Sequence, residues 1–426
     1  MWTYLAEEYK RVSFQWGILM VRTRKGLSLL DRLGKLRITK PLAWFMLVLM
    51  PIAAGISLFL ILQTISVYLS PLGPGAISYV RSITPLANLL LPGINPYVPI
   101  VYGWLAIVVA ILVHEAAHGI VARSLGFPVK SAGMIFLLFI PIGAFVEVDD
   151  AAINAANAKN ATRVLASGPG TNFVLAVACL AILILLVSTM SPVVRGAGII
   201  SVAEDTPQQH SPAFLAGLKA GDVLLAMNNA PVTDINQTLK ASGTFHIGQV
   251  VNLTVWRNGE TIQINNVTLG KIVVLDTRTN QTAAYPYLGV FSVSYRDMEV
   301  IASSYSTYYA KNPLVYFSLI PTFPSTGYYV PFSDTMQAFY TSPLGPTTPI
   351  AANLLYWLFF VNVNLAIFNS LPIYPLDGGQ AFRSLLKGAG RGKISEEASQ
   401  RITIAVTLVM IFAFVAVTIG PYLAGL

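Results

Sequence analysis

The sequence predicts an α-helical polytopic membrane protein with a re-entrant β-hairpin and an extracytoplasmic α+β domain inserted between its core membrane helices. Three observations lead there. Of 426 residues, 54% are hydrophobic and only 11% are charged, whereas soluble domains carry about 25% charged residues. Apolar runs near 42–69, 98–122, 164–190, 350–371 and 401–424 each reach the ~20 residues that a helix needs to cross a bilayer. Between the third and fourth runs, 191–349 turns polar and rich in Asn, Gln, Thr and Ser.

The first 40 residues form a basic segment, holding nine of the 27 Lys and Arg, among them Lys10, Arg11, Arg22, Arg24, Lys25, Lys35 and Arg37. The net charge of +8 is therefore local. It suits an orientation signal and a contact with anionic lipid heads rather than nucleic acid. No cleavable signal peptide is expected, because the first apolar run begins about forty residues in. The lone Cys179 sits in an apolar run, which excludes a disulfide framework and a cysteine-based metal site.

The first span is expected at 41–70. The stretch 71–97 is broken by Pro71, Pro74, Pro85, Pro92 and Pro96, and 311–349 by Pro313, Pro321, Pro324 and Pro331, so both read as surface or interfacial segments. A multi-pass protein of the cell membrane with a cytoplasmic N-terminus follows. The loops holding Arg123, Lys130, Lys159 and Arg163, and Arg383, Lys387, Arg391 and Lys393, then lie on the same inner side. The region 191–349 becomes extracytoplasmic. Its Asn-x-Thr triplets at Asn236, Asn252, Asn266 and Asn280 fit glycosylation or a Thr-rich β domain, and the β domain is favoured because Asn160 starts another triplet on the inner side.

Residues 98–190 form the first part of a membrane core, and 131–148 within it is apolar but interrupted by Gly133, Pro141 and Gly143. That is too broken for a spanning helix, and backbone of this kind is tolerated near a membrane where protein buries it or it lines a cavity. A re-entrant hairpin is expected, with a peripheral surface loop as the alternative.

His114-Glu115-Ala116-Ala117-His118 lies near the end of the second span, and only four histidines exist in the chain. On a helix, i and i+4 share a face, so both imidazoles can reach one metal ion with Glu115 beside it. A carboxylate on so apolar a span needs a compensating partner, which a bound zinc ion supplies. Catalytic zinc sites use three protein ligands and a water. Asp377, at the inner end of the fourth span in the second core part, 350–380, is the expected third ligand. Span counting brings it to the same membrane face as His118. Taken alone, Asp377 before Gly378 and Gly379 would be a turn residue.

Together with Gly168-Pro169-Gly170-Thr171-Asn172, the segment Asn369 to Gly379 and the segment Phe139 to Val146, this pattern resembles the site-2 protease family of intramembrane zinc metalloproteases, across 98–190 and 350–380. The resemblance implies one Zn²⁺ per chain held by His114, His118 and Asp377, with Glu115 as general base. It also implies that Asn172 and Asn369 lie near the site and hold substrate backbone or stabilise the oxyanion. Asn369 could instead cap a broken helix, and Asn172 could bond across helices. The implied substrates are single-span membrane proteins, cleaved within the bilayer. The last span, 401–424, carries no motif.

Residues 196–270 resemble a PDZ domain in Gly196 to Val202, Ser211-Pro212-Ala213, Ala216-Gly217-Leu218 and Gly221-Asp222 through Asn228. Such domains bind extended peptides by strand addition, here with a groove expected at Gly198, Ile199 and Ile200. The domain would control substrate access as a peptide reader or as a bulky lid. Residues 271–349 are expected to be a β and interfacial extension. The alternative function is an inactive membrane scaffold that binds partners through this domain.

Overall fold

The computed structural model describes residues 12–15, 18–95, 98–137, 140–203, 210–241, 243–276, 281–311, 336–390 and 394–423. Expectations for Lys10, Arg11, Pro96, Phe139, Asn280, Arg391, Lys393 and the proline-broken stretch 312–335 lie outside the described residues. Two compact units form, Met1–Leu180 with Trp357–Leu426, and Ala181–Tyr356.

The first unit opens with strands β1 (Val12–Gln15) and β2 (Ile18–Thr23), then helices α1 (Leu27–Gly34), α2 (Thr39–Leu69), α3 (Gly73–Arg81) and α4 (Ile100–Ser124). Strands β3 (Val129–Leu137) and β4 (Ile140–Val148) follow, then α5 (Asp150–Ala155) and α6 (Ala158–Val187). The 129–148 segment is an antiparallel hairpin, and the basic N-terminal segment extends it into a four-stranded sheet ordered β1-β2-β3-β4. This pairing is a finding that composition concealed. Leu19 faces Phe136 and Val21 faces Met134 in the β2–β3 register, so β2 covers the outer edge of β3 and β4 is the strand at the sheet's other end.

Helix α6 begins before its apolar run because its first turn is anchored. Lys159 and Arg163 stack over the Trp44 ring at 4.5 and 4.8 Å, and Arg163 Nη2 donates to the Lys40 carbonyl. Helices in lipid associate without a hydrophobic drive of their own and rely on close backbone approach and polar bonds. Ala43, Ala106, Ala110, Ala122 and Ala166 are accordingly fully buried, while Leu408, Val409 and Phe412 are among the most exposed residues.

The second unit runs through β5 (Ser191–Pro192), β6 (Ala197–Val202), α7 (Pro212–Leu215), β7 (Val223–Met227), β8 (Ala230–Pro231) and α8 (Ile235–Lys240). It continues with β9 (Val250–Arg257), β10 (Glu260–Thr268), β11 (Gly270–Asp276), β12 (Gln281–Tyr287), β13 (Val290–Val293), α9 (Tyr295–Lys311) and β14 (Tyr340–Thr341). A six-stranded sheet has the order β10-β9-β7-β6-β13, with β8 on β7. Alternate residues of β9, Val251, Leu253 and Val255, point into a core shared with Ile199, Leu224, Met227 and Ile235, the period-2 pattern of a sheet with one buried face.

Gly198, Ile199 and Ile200 require a correction. They lie in β6, whose partner β13 pairs Val293 with Gly198 and Ser292 with Ile199. On the other side the Ile199 N–H donates to the Asp222 carbonyl and its own carbonyl accepts from Gly221. Strand addition needs free main-chain groups, and those of Ile199 are bonded within the domain.

The chain closes with α10 (Thr348–Ser370), α11 (Asp377–Ala389), α12 (Glu396–Thr418) and α13 (Gly420–Leu423). Helices α2, α4, α6, α10 and α12 are the five long and apolar enough to cross a membrane, among the described residues.

Candidate active site

Helix α4 carries the first two candidate ligands. Its apolar residues from Ile100 onward favour a continuous helix, capped by Pro99 and Leu125. His114 and His118 sit one turn apart, both buried, with ring centroids 4.8 Å from each other. Asp377 is the first residue of α11. It reaches the histidines because Gly378 lets the helix start press against the preceding chain: a Cβ there would lie 2.3 Å from the carbonyl oxygens of Ser370 and Leu371.

Asp377 Oδ2 is 3.0 Å from His114 Nε2 and 3.3 Å from His118 Nε2, and the two Nε2 atoms are 3.2 Å apart. The three groups form a set whose ligand atoms all lie within 4.8 Å of one another.

The far side of each imidazole fixes its tautomer. His114 Nδ1 lies 2.7 Å from Asn172 Oδ1, and the Asn172 amide is oriented by Nδ2 donating to the carbonyl of Ala110 and to Asn362 Oδ1. His118 Nδ1 lies 2.8 Å from the Val164 carbonyl. Both acceptors lack a proton, so each neutral imidazole carries its hydrogen on Nδ1 and turns the Nε2 lone pair inward. Two lone pairs and a carboxylate oxygen, three acceptors with no donor between them, converge at 3.0 to 3.3 Å. Such a cluster calls for a cation at its centre. Zinc ligands about 2.0–2.1 Å from the metal in tetrahedral array stand about 3.3 Å apart, so the donor set fits zinc.

Gly168 on α6 keeps that centre open. A Cβ at this position would sit 2.4 Å from His118 Nε2 and 2.6 Å from His114 Nε2. Only a residue without a side chain leaves the space between the rings.

Glu115 lies on the same helix turn, and its Oε2 accepts the Val146 N–H of β4 at 3.0 Å. The carboxylate thus touches the hairpin and lines the same cavity as the candidate ligands. All three ligands, Glu115, Val146, Glu147, Asn369 and Gln380 line one cavity of about 430 Å³. Asn369 is half-buried in that wall. Asn172, by contrast, is fully buried, and its amide is committed to the cross-helix bonds weighed as its second role.

The motif around Gly168 does not by itself assign that glycine a role, and Asn362 belongs to no motif. Its signal was available: a polar residue inside an apolar span must find a partner, and Asn362 is fully buried against Asn172.

Five apolar helices long enough to cross a membrane and a His-His-Asp group that could hold a metal ion are the features of a multi-pass membrane protein of the metalloprotease class. The match is carried by the family model for peptidase family M50, which covers residues 102–414, and the chain belongs to that family. An uncharacterized protein of Methanocaldococcus jannaschii is 26% identical over 313 residues, 73% of this chain and 76% of the relative. A Nostoc protein named "Putative zinc metalloprotease" is 25% identical over 330 residues, 67% of this chain and 85% of the relative. A Streptococcus pneumoniae protein of the same name is 35% identical over 66 residues, 16% of each chain.

Proposed function

We propose that the protein is an intramembrane zinc endopeptidase that cleaves membrane-spanning proteins at bilayer depth. One observation carries this reading: three proton acceptors from two helices, His114 and His118 on α4 and Asp377 on α11, converge in a cavity that Glu115 and a β-strand also line. His114, His118 and Asp377 would hold one Zn²⁺. When bound, the ion supplies a water acidic enough to ionise near neutral pH and polarises the scissile carbonyl.

Glu115 takes the proton of the attacking water and returns it to the leaving amine. The hydrogen bond to Val146 aims one carboxylate oxygen and leaves the other for that transfer. Asn369 in the cavity wall donates to the substrate carbonyl as charge develops. Asn172 acts one step back, holding His114 in its metal-binding tautomer.

A substrate helix must unwind locally, because its carbonyls are engaged in its own hydrogen bonds. The re-entrant hairpin receives the unwound stretch as an added strand. With β2 on the outer edge of β3, the strand that accepts it is β4, whose Val146, Glu147 and Val148 line the cavity. The second unit corresponds to the PDZ-like domain and its extension, placed outside the cytoplasm with the N-terminus inside. It governs access as a lid, or reads a peptide at an edge strand, β13 or β10, rather than at Gly198 to Ile200.

The test is Glu115→Gln beside wild type, both purified full-length, with zinc content and cleavage of a single-span substrate measured on each. Equal zinc with cleavage reduced about 10²–10⁴-fold is expected. Cleavage by neither protein would leave the scaffold alternative standing, and equal cleavage by both would rule out Glu115 as the base.

A further inference from the structure

A second cavity, of about 510 Å³, adjoins the first and shares Ile153, Leu165 and Gln380 with it. Its polar wall is one face of α11: Gln380, Arg383, Ser384 and Lys387 follow the i, i+3, i+4, i+7 spacing of a single helix side. Asp377 heads the same stripe. The face runs from the metal-binding carboxylate, through an amide and a hydroxyl, to two cations.

No carboxylate lines this second cavity among the described residues. The two cations share one partner, the half-exposed Glu396 at the start of α12, which leaves one positive charge in excess. The buried Arg383 Nε–H has no acceptor among the described residues. A polar, net-positive recess opening off a peptidase site is arranged to take an anion from the substrate chain.

We propose that this recess is a specificity pocket for a carboxylate on the substrate polypeptide, held by Arg383 and Lys387. The inference rests on the endopeptidase reading and deepens it. A helix rises 1.5 Å per residue, so the two cations stand about 9 and 15 Å along α11 from Asp377. An extended substrate covers about 3.3 Å per residue. The pocket therefore reads an Asp or Glu side chain about three to five residues from the scissile bond. The new C-terminal carboxylate is the other source of the same chemistry, but it is released at the metal and would have to travel that distance.

The experiment uses the full-length zinc-loaded protein and a single-span substrate whose cut has been mapped by mass spectrometry. Glu and Gln are compared at each of the six positions on either side. Wild type should favour Glu over Gln by about tenfold in kcat/KM at one position, the difference expected of one charge-assisted contact. Arg383→Gln with Lys387→Gln should abolish that ratio, and Arg383→Glu with Lys387→Glu should turn it toward Gln. Glu396→Gln keeps both cations, frees them from their partner and should raise the ratio, which preserves the test if the charge swap misfolds.

A ratio near one at every position, or one unchanged by these variants, overturns the pocket while cleavage itself still stands. Inhibition by an acid-ended product peptide but not by its amide, without a Glu preference, reassigns the cations to product. Absence of any cleavage by wild type overturns the endopeptidase reading, and the pocket with it.

Discussion

The Nδ1 of His114 and the Oδ1 of Asn172 lie 2.7 Å apart, although 58 residues separate them in the chain. The amide oxygen can only accept, so the contact determines which imidazole nitrogen is left for a metal. Partners of this kind typically account for 10- to 100-fold in metal affinity. Asn172→Leu should therefore weaken zinc binding by about that factor, read by competition with a chromogenic chelator. Unchanged affinity would rule out an orienting role for Asn172.

Gly168 and Gly170 allow a controlled comparison on the same helix. A Cβ at 168 would overlap both Nε2 atoms, whereas one at 170 would meet the Met46 side chain at 2.6 Å. The Met46 atoms met are its Cβ, Cγ and Cα, so the strain at 170 falls on the packing of α2 against α6 and not on the imidazoles. Gly168→Ala should purify with less than about one-tenth of the wild-type zinc, and Gly170→Ala with nearly all of it, as metal analysis of the two proteins will show. Zinc retained by Gly168→Ala would mean that the ligand set moves more freely than its hydrogen bonds suggest.

The N-terminal strand gives a prediction about the hairpin. Met20 faces Ile135 in the β2–β3 register. Proline there removes an N–H from a strand paired on both sides and cannot be accommodated in such a position. Met20→Pro should raise amide hydrogen exchange across 132–137 severalfold, because the β3 edge is uncovered. Exchange within α4 should stay as it was. Equal protection in both proteins would show that β3 is held without β2.

How much of this was legible in the sequence depends on how local each signal is. His114, Glu115 and His118 announce themselves through helical spacing in an apolar span, and Asp377 through its place at the end of another. Span counting alone brings those ends together. The pairing of Ile18–Thr23 with the hairpin had no such signal, since the strand is short and its arginine made it look like the rest of a basic tail. Nor was the closing of the β6 edge readable, because β13 lies about ninety residues away and nothing in Val290–Val293 names its partner. Asn362 and Gly168 act only through a neighbouring helix, which no single segment reveals.

The second unit can be perturbed without touching the metal ligands. Asp222 is 1% exposed and accepts from Arg257 Nε at 2.7 Å, Arg257 Nη2 at 2.6 Å and the Lys219 N–H at 2.8 Å. The aspartate holds the Arg257 guanidinium above its ordinary pKa through that hydrogen bond. Removing one member of a buried pair leaves an uncompensated charge and costs about 3–5 kcal/mol. Arg257→Met should therefore loosen 197–293, seen as faster amide exchange there, while zinc content stays at the wild-type level. Cleavage of a single-span substrate carrying a folded ectodomain then separates the two roles proposed for this unit. A lid that has loosened admits the bulky substrate faster than wild type does, whereas a peptide reader that has lost its edge strand cleaves it more slowly. If neither rate changes although exchange has risen, the second unit does not govern access.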